Sequence, residues 1–110
     1  MKEQDIQKKI ITKLEADGHE VIKVITANKS GIADILTCSP AGKFWCIEVK
    51  RPGFKPSELQ WDFIRRVQDR NGIAFYADSY DDFLIKYNKC TVSQTNCFKA
   101  PTLKKTLVDL

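Results

Sequence analysis

At 110 residues, 43% hydrophobic and 29% charged, the chain is long enough for one domain with a buried core and too short for a multidomain machine. No stretch approaches the roughly 18 consecutive apolar residues of a membrane helix, and Met1-Lys2-Glu3-Gln4-Asp5 leads into an amphipathic pattern instead of an apolar signal core. The formal charge of +4 falls wholly in the tail, where Lys86, Lys89, Lys99, Lys104 and Lys105 face Asp109 alone; such a tail suits either phosphate contact or simple solvation.

From Asp5 to about Asp17, Ile6, Ile10, Ile11 and Leu14 recur at helical spacing and Gly18 supplies a stop. Glu3 and Gln7 project from the same side as Ile10 and Leu14, an unexpected place for polar groups. Three strand-like runs follow, Glu20 to Ala27, Ile32 to Cys38 and Lys43 to Lys50, separated by Asn28-Lys29-Ser30-Gly31 and Ser39-Pro40-Ala41-Gly42. They read as an antiparallel meander. Ser57 to Asn71 returns to helical period with Leu59, Phe63, Ile64 and Val67 on one face, Ile73 to Ala77 is a short buried strand, and Ser79 opens a third helix expected to end near Asn88. The order is αβββαβα.

A symmetric register about Ala41 pairs positions whose numbers sum to 82, so Asp34 faces Glu48. Directly opposed residues have Cβ atoms about 4.5–5.5 Å apart, where two carboxylates repel unless a cation separates them. Alternation puts Lys50 on the face of Glu48 and turns Trp45, Ile47 and Val49 to the other face as core. Oxygen ligands of this kind suit Mg²⁺ or Mn²⁺, with a lysine placed where phosphoryl charge builds up. The alternative is an exposed sheet face carrying three solvated charges. Gln60 falls inside the apolar face of its helix, and Ser57-Glu58-Leu59-Gln60 also fits a capping box, so a site role and a cap role both stand.

Gly31-Ile32-Ala33-Asp34, then Ile47-Glu48-Val49-Lys50, then Pro56-Ser57-Glu58-Leu59-Gln60, behind an N-terminal helix, resembles the VRR-NUC branch of the PD-(D/E)XK nuclease superfamily over about residues 3–87. The resemblance implies an α/β fold, a restriction-endonuclease-like αβββαβ core with a mixed central sheet flanked by helices. It implies one nuclease domain over residues 1–110, with 88–110 a basic C-terminal extension. It also implies that Asp34, Glu48 and the Val49 carbonyl ligate a divalent metal, Mg²⁺ or Mn²⁺. Lys50 would orient or activate the attacking water, Gln60 would support the site, and Glu3 would match the acidic residue of the family's first helix, a further candidate ligand. The branch usually carries proline before the aspartate, where Ala33 stands here; that residue shapes the strand and is not a ligand. Stand-alone members of this size resemble phage-encoded proteins, homodimers acting on branched DNA in a host cytoplasm.

His19, the one histidine, follows Gly18 in a turn and reads as an exposed loop residue. The cysteines Cys38, Cys46, Cys90 and Cys97 form no Cys-x-x-Cys pair, so reduced thiols are expected and zinc is not. Lys29, Arg51 and Lys55 are the candidate phosphate contacts. Trp61, read as surface-side, and Leu103, Leu107, Val108 and Leu110 are candidate dimer-interface residues, with packing inside the chain the alternative. The expected protein is a cytoplasmic, metal-dependent, structure-selective DNA endonuclease. A nuclease-like binding module that does not cut and an RNA-directed nuclease are the other readings.

Overall fold

The computed structural model describes residues 2–102. Its elements run α1 (Glu3–Ala16), β1 (Glu20–Lys23), β2 (Ile35–Cys38), β3 (Phe44–Val49), α2 (Glu58–Asp69), β4 (Ile73–Ala77) and α3 (Tyr80–Ser93). One mixed sheet has the order β1-β2-β3-β4, antiparallel through β3 and parallel between β3 and β4. The parallel pair requires a crossover, and α2 supplies it.

Strand alternation divides the apolar residues between two layers. Trp45, Ile47 and Val49 of β3 pack with Ile6, Ile10 and Leu14 of α1 and Phe83, Tyr87 and Cys90 of α3. Cys46, Ala74 and Ala33 face the opposite side and pack against Ile64 and Val67 of α2. A sheet covered on both faces accounts for strands that read as nearly continuous apolar runs. No helix among the described residues is long and apolar enough to cross a membrane.

The strands are shorter than the sequence suggests, because the ladder stops where partners end: β1 closes at Lys23, with one further bond from Val24 N–H to the Asp34 carbonyl at 2.8 Å. By contrast α3 runs past Asn88 to Ser93, since Cys90 continues the buried stripe of Phe83 and Tyr87 and is itself 1% exposed. His19 corrects the sequence expectation. Gly18 adopts a φ of +89° and turns the chain inward, so the imidazole is buried edge-on against Trp45 at 5.6 Å, with Nδ1 3.2 Å from the Thr37 hydroxyl. Burial pushes its pKa below the usual histidine value.

The segment after α3 is no loose appendage as far as Pro101. Asn96 accepts from Ala74 N–H at 2.9 Å and donates to the Gly72 carbonyl at 2.7 Å, filling hydrogen-bonding positions at β4. Gln68 clamps Phe98 and Ala100, and Arg65 donates to the Pro101 carbonyl. The apolar residues Leu103, Leu107, Val108 and Leu110 and the basic pair Lys104 and Lys105 lie outside the described residues.

Candidate active site

The hairpin register is Ile35 opposite Ile47 and Leu36 opposite Cys46. Extended by one residue, it sets Asp34 across from Glu48 on the sheet face covered by α2. Asp34 stands just before β2, and its carboxylate does what a strand neighbour would do: Oδ2 accepts the Val49 N–H at 2.9 Å. One oxygen is thereby spent on orienting the side chain. Glu48 is 2% exposed. Its Oε2 accepts from Gln60 Nε2 at 3.0 Å and lies 3.5 Å from Lys50 Nζ, while Oε1 is buried with no hydrogen-bond partner.

A buried carboxylate in this position resists ionisation. Desolvation, then the neighbouring Asp34 charge, push Glu48 up to about 8, and Lys50 opposes the rise. Asp34 is also raised, chiefly by desolvation, with the Val49 N–H and a hydrogen bond from Glu48 acting against it. Both carboxyl groups thus favour the protonated form more than a solvated acid does, Glu48 the more strongly, as expected when two acids share a confined site.

Gln60 closes the capping box and also reaches the carboxylate pair. Its Oε1 accepts the Ser57 N–H at 2.9 Å and the Ser57 hydroxyl accepts the Gln60 N–H, closing the capping box, while Nε2 remains free to donate to Glu48. The cap locks the Gln60 rotamer, so the first turn of α2 holds Glu48 in place. Glu3, on the first turn of α1, accepts the Arg51 N–H at 3.3 Å and adds negative charge near Asp34. It borders the pair without completing a ligand set: among the described residues no three His, Cys, Asp or Glu side chains gather closely enough to hold a metal by themselves. Lys29, Arg51 and Lys55 are exposed, with the Arg51 guanidinium 4.4 Å above the Phe54 ring.

Sequence reasoning missed the part played by Gly31. It adopts a φ of +79°, and a Cβ there would lie 2.5 Å from the Leu59 carbonyl oxygen, inside the first turn of α2. The closeness of the loop to the helix sets the distance between Asp34 and Gln60. Gly31→Ala is expected to cost about 2–3 kcal/mol of stability, from left-handed strain plus displacement of α2, and to lower any activity that needs Gln60 on Glu48. Denaturant unfolding checks the first; an unchanged midpoint would show that α2 is not pinned there. The signal was available as a glycine three residues before the aspartate, but its contact with Leu59 is not readable from spacing.

For Trp61 the alternative of packing inside the chain holds. It is half-buried, edge-on to Tyr76 at 5.4 Å, because the apolar face of α2 is wide enough to wrap that ring onto β4.

No family model and no curated protein matches this chain. A solved structure described as a VRR_NUC domain superposes with a TM-score of 0.67 at 28% identity, over 82% of this chain and 94% of that one. A likeness that takes in nearly all of that domain and most of this chain is one of whole folds, beyond a shared motif, and it supports the resemblance to VRR-NUC nuclease domains that the three motifs carry.

Proposed function

We propose that the protein is a metal-dependent endonuclease that hydrolyses phosphodiester bonds of DNA, selecting branched structures such as four-way junctions or flaps over sequence. The observation that carries the reading is the carboxylate pair: half-buried Asp34 opposite buried Glu48, with Glu48 Oε1 left without a hydrogen-bond partner. An orphaned carboxylate oxygen beside a second carboxylate fits a hard divalent cation. Asp34, Glu48 and the Val49 carbonyl would hold Mg²⁺ or Mn²⁺, with waters completing the shell. When bound, the ion supplies Lewis acidity and a more acidic water.

The chain's own groups do the rest. Lys50 presents its ammonium 3.5 Å from Glu48, placed to balance the negative charge that grows on the phosphoryl oxygens. Gln60 keeps Glu48 oriented. Glu3 restrains the Arg51 backbone, and Lys29, Arg51 and Lys55 offer cations to the flanking phosphates. A chain this short reaches both strands of a symmetric junction most simply as a homodimer, each copy cutting one strand.

The test is cleavage of labelled four-way junction, flap and linear duplex DNA, with matched RNA as a control, in Mg²⁺, Mn²⁺ or EDTA at fixed salt, since phosphate affinity is strongly salt-dependent. Cutting with either metal, none with EDTA, and preference for a branched substrate are expected. Tight binding without cutting under every metal condition would identify a binding module instead.

A further inference from the structure

Beside the carboxylate pair lies a second feature that catalysis does not use. Tyr76 of β4 is the register partner of Glu48 on the same sheet face, and Trp61 follows Gln60 in α2. Together with Phe98 and Lys99 they line a cavity of about 150 Å³, floored by Ile64 and Phe75. That volume is well below the range of drug-sized ligand pockets and is of the order of one planar heteroaromatic ring system.

The walls are aromatic and the rim is cationic. Lys86 Nζ sits 4.1 Å from the Tyr76 ring centroid, and Lys89 Nζ 5.4 Å from that of Phe98. Lys86 is already committed, donating to the Tyr76 carbonyl at 2.7 Å and to Asp82 at 3.0 Å; among the described residues Lys89 and Lys99 form no salt bridge. The outer wall is built deliberately: an irregular segment is bolted to the fold by Asn96 and by Gln68, whose Nε2 donates to the Phe98 carbonyl at 2.8 Å.

We infer that this slot receives a single unpaired nucleobase of the substrate strand, stacked on the aromatic walls with its phosphate toward Lys99 and Lys89. The inference rests on the nuclease reading and narrows its substrate to DNA that carries an unstacked nucleotide next to the bond cut. Aromatic rings give stacking to any base, and cations at the rim match the phosphate that travels with it. Gln68, the lining side-chain amide, is spent: Nε2 also donates to the Ala74 carbonyl, and Oε1 accepts the Ala100 N–H. The slot therefore senses that a base is unpaired without reading which base it is.

The test is binding of the full chain, in EDTA, to labelled duplexes carrying one unpaired nucleotide or an abasic analogue at the same place, read by fluorescence anisotropy. Wild type should prefer the base-bearing duplex by about 10-fold, the size of one base–aromatic stack, with all four bases within a few-fold. Phe98→Ala should erase that ratio while leaving affinity for fully paired duplex and the thermal midpoint unchanged. Trp61→Phe, which keeps the apolar packing, should reduce it. Photocrosslinking from 5-iodouracil at the unpaired position should map to Trp61, Tyr76 or Phe98.

A ratio of one in wild type overturns the inference. So does a crosslink elsewhere, or a Phe98→Ala variant that changes oligomeric state and keeps the ratio. Because binding is read without metal, loss of the slot and loss of the nuclease reading are separable: cutting without base discrimination removes the first, and discrimination without cutting removes the second.

Discussion

Lys50→Ala is expected to slow metal-dependent DNA cleavage by about 10²–10³-fold, the usual cost of deleting one charge stabiliser from a transition state, with kcat falling and KM nearly unchanged. The reason is local. Lys50 makes one ion pair, with Glu48 at 3.5 Å, and its side chain is 18% exposed. Removing it leaves the folded state largely intact, since Glu48 already resists ionisation from burial and from Asp34. DNA affinity measured in EDTA should therefore stay within a few-fold, and the thermal midpoint should barely move. Lys50→Arg restores charge with a different donor geometry and should recover only part of the rate. Wild-type cleavage by Lys50→Ala would place the chemistry elsewhere in the protein.

Glu48→Gln is expected to abolish cleavage and yet to stabilise the protein when metal is withheld. An acid whose folded pKa lies above its unfolded value binds its proton more tightly in the folded state. Its contribution to stability is fully present below the unfolded glutamate value of about 4.3 and is lost as pH rises through the folded value of about 8. Near pH 7 most of that loss has accrued, on the order of 3 kcal/mol. Glutamine keeps the shape and still accepts from Gln60, so the variant escapes the loss. In EDTA its denaturant midpoint should exceed the wild type's at pH 7 and 8.5 and approach it at pH 5, where wild-type Glu48 is protonated. An equal difference at pH 5 and 8.5 would refute a raised Glu48.

Adding Mn²⁺ should reverse the order of stability. Wild type gains by mass action on binding the ion, and ion binding should release close to one proton at pH 7, measurable by calorimetry in buffers of different ionisation enthalpy. The variant, short of one carboxylate, should show neither effect. Activity and apo stability are thus opposed at one side chain, a pattern expected where function requires a buried like-charge pair.

The hairpin shows why so much of the candidate site was legible. Its register follows from turn symmetry and alternation, both local, so Asp34 opposite Glu48 and Lys50 two residues on could be written down from spacing, and the structure has that register. Gln60 was legible as a capping residue for the same reason: a capping box spans only four positions. His19 was misjudged because its environment comes from Trp45, Thr37 and Tyr87, far apart along the chain. Trp61 was left open between an interface and packing within the chain because its partner, Tyr76, belongs to a strand joined in parallel, and no local pattern sets a parallel register.

By itself, then, the sequence determined the order of elements, the alternation of β3, the opposed carboxylates and the cap that carries Gln60, because each depends on periodicity or on residues a few positions apart. Tertiary structure alone decided how strongly Glu48 is desolvated, how Gly31 draws α2 against the loop, and how Asn96 and Gln68 bring Phe98 beside Tyr76. These depend on contacts between residues distant in sequence, where burial and close approach, not spacing, set the energies.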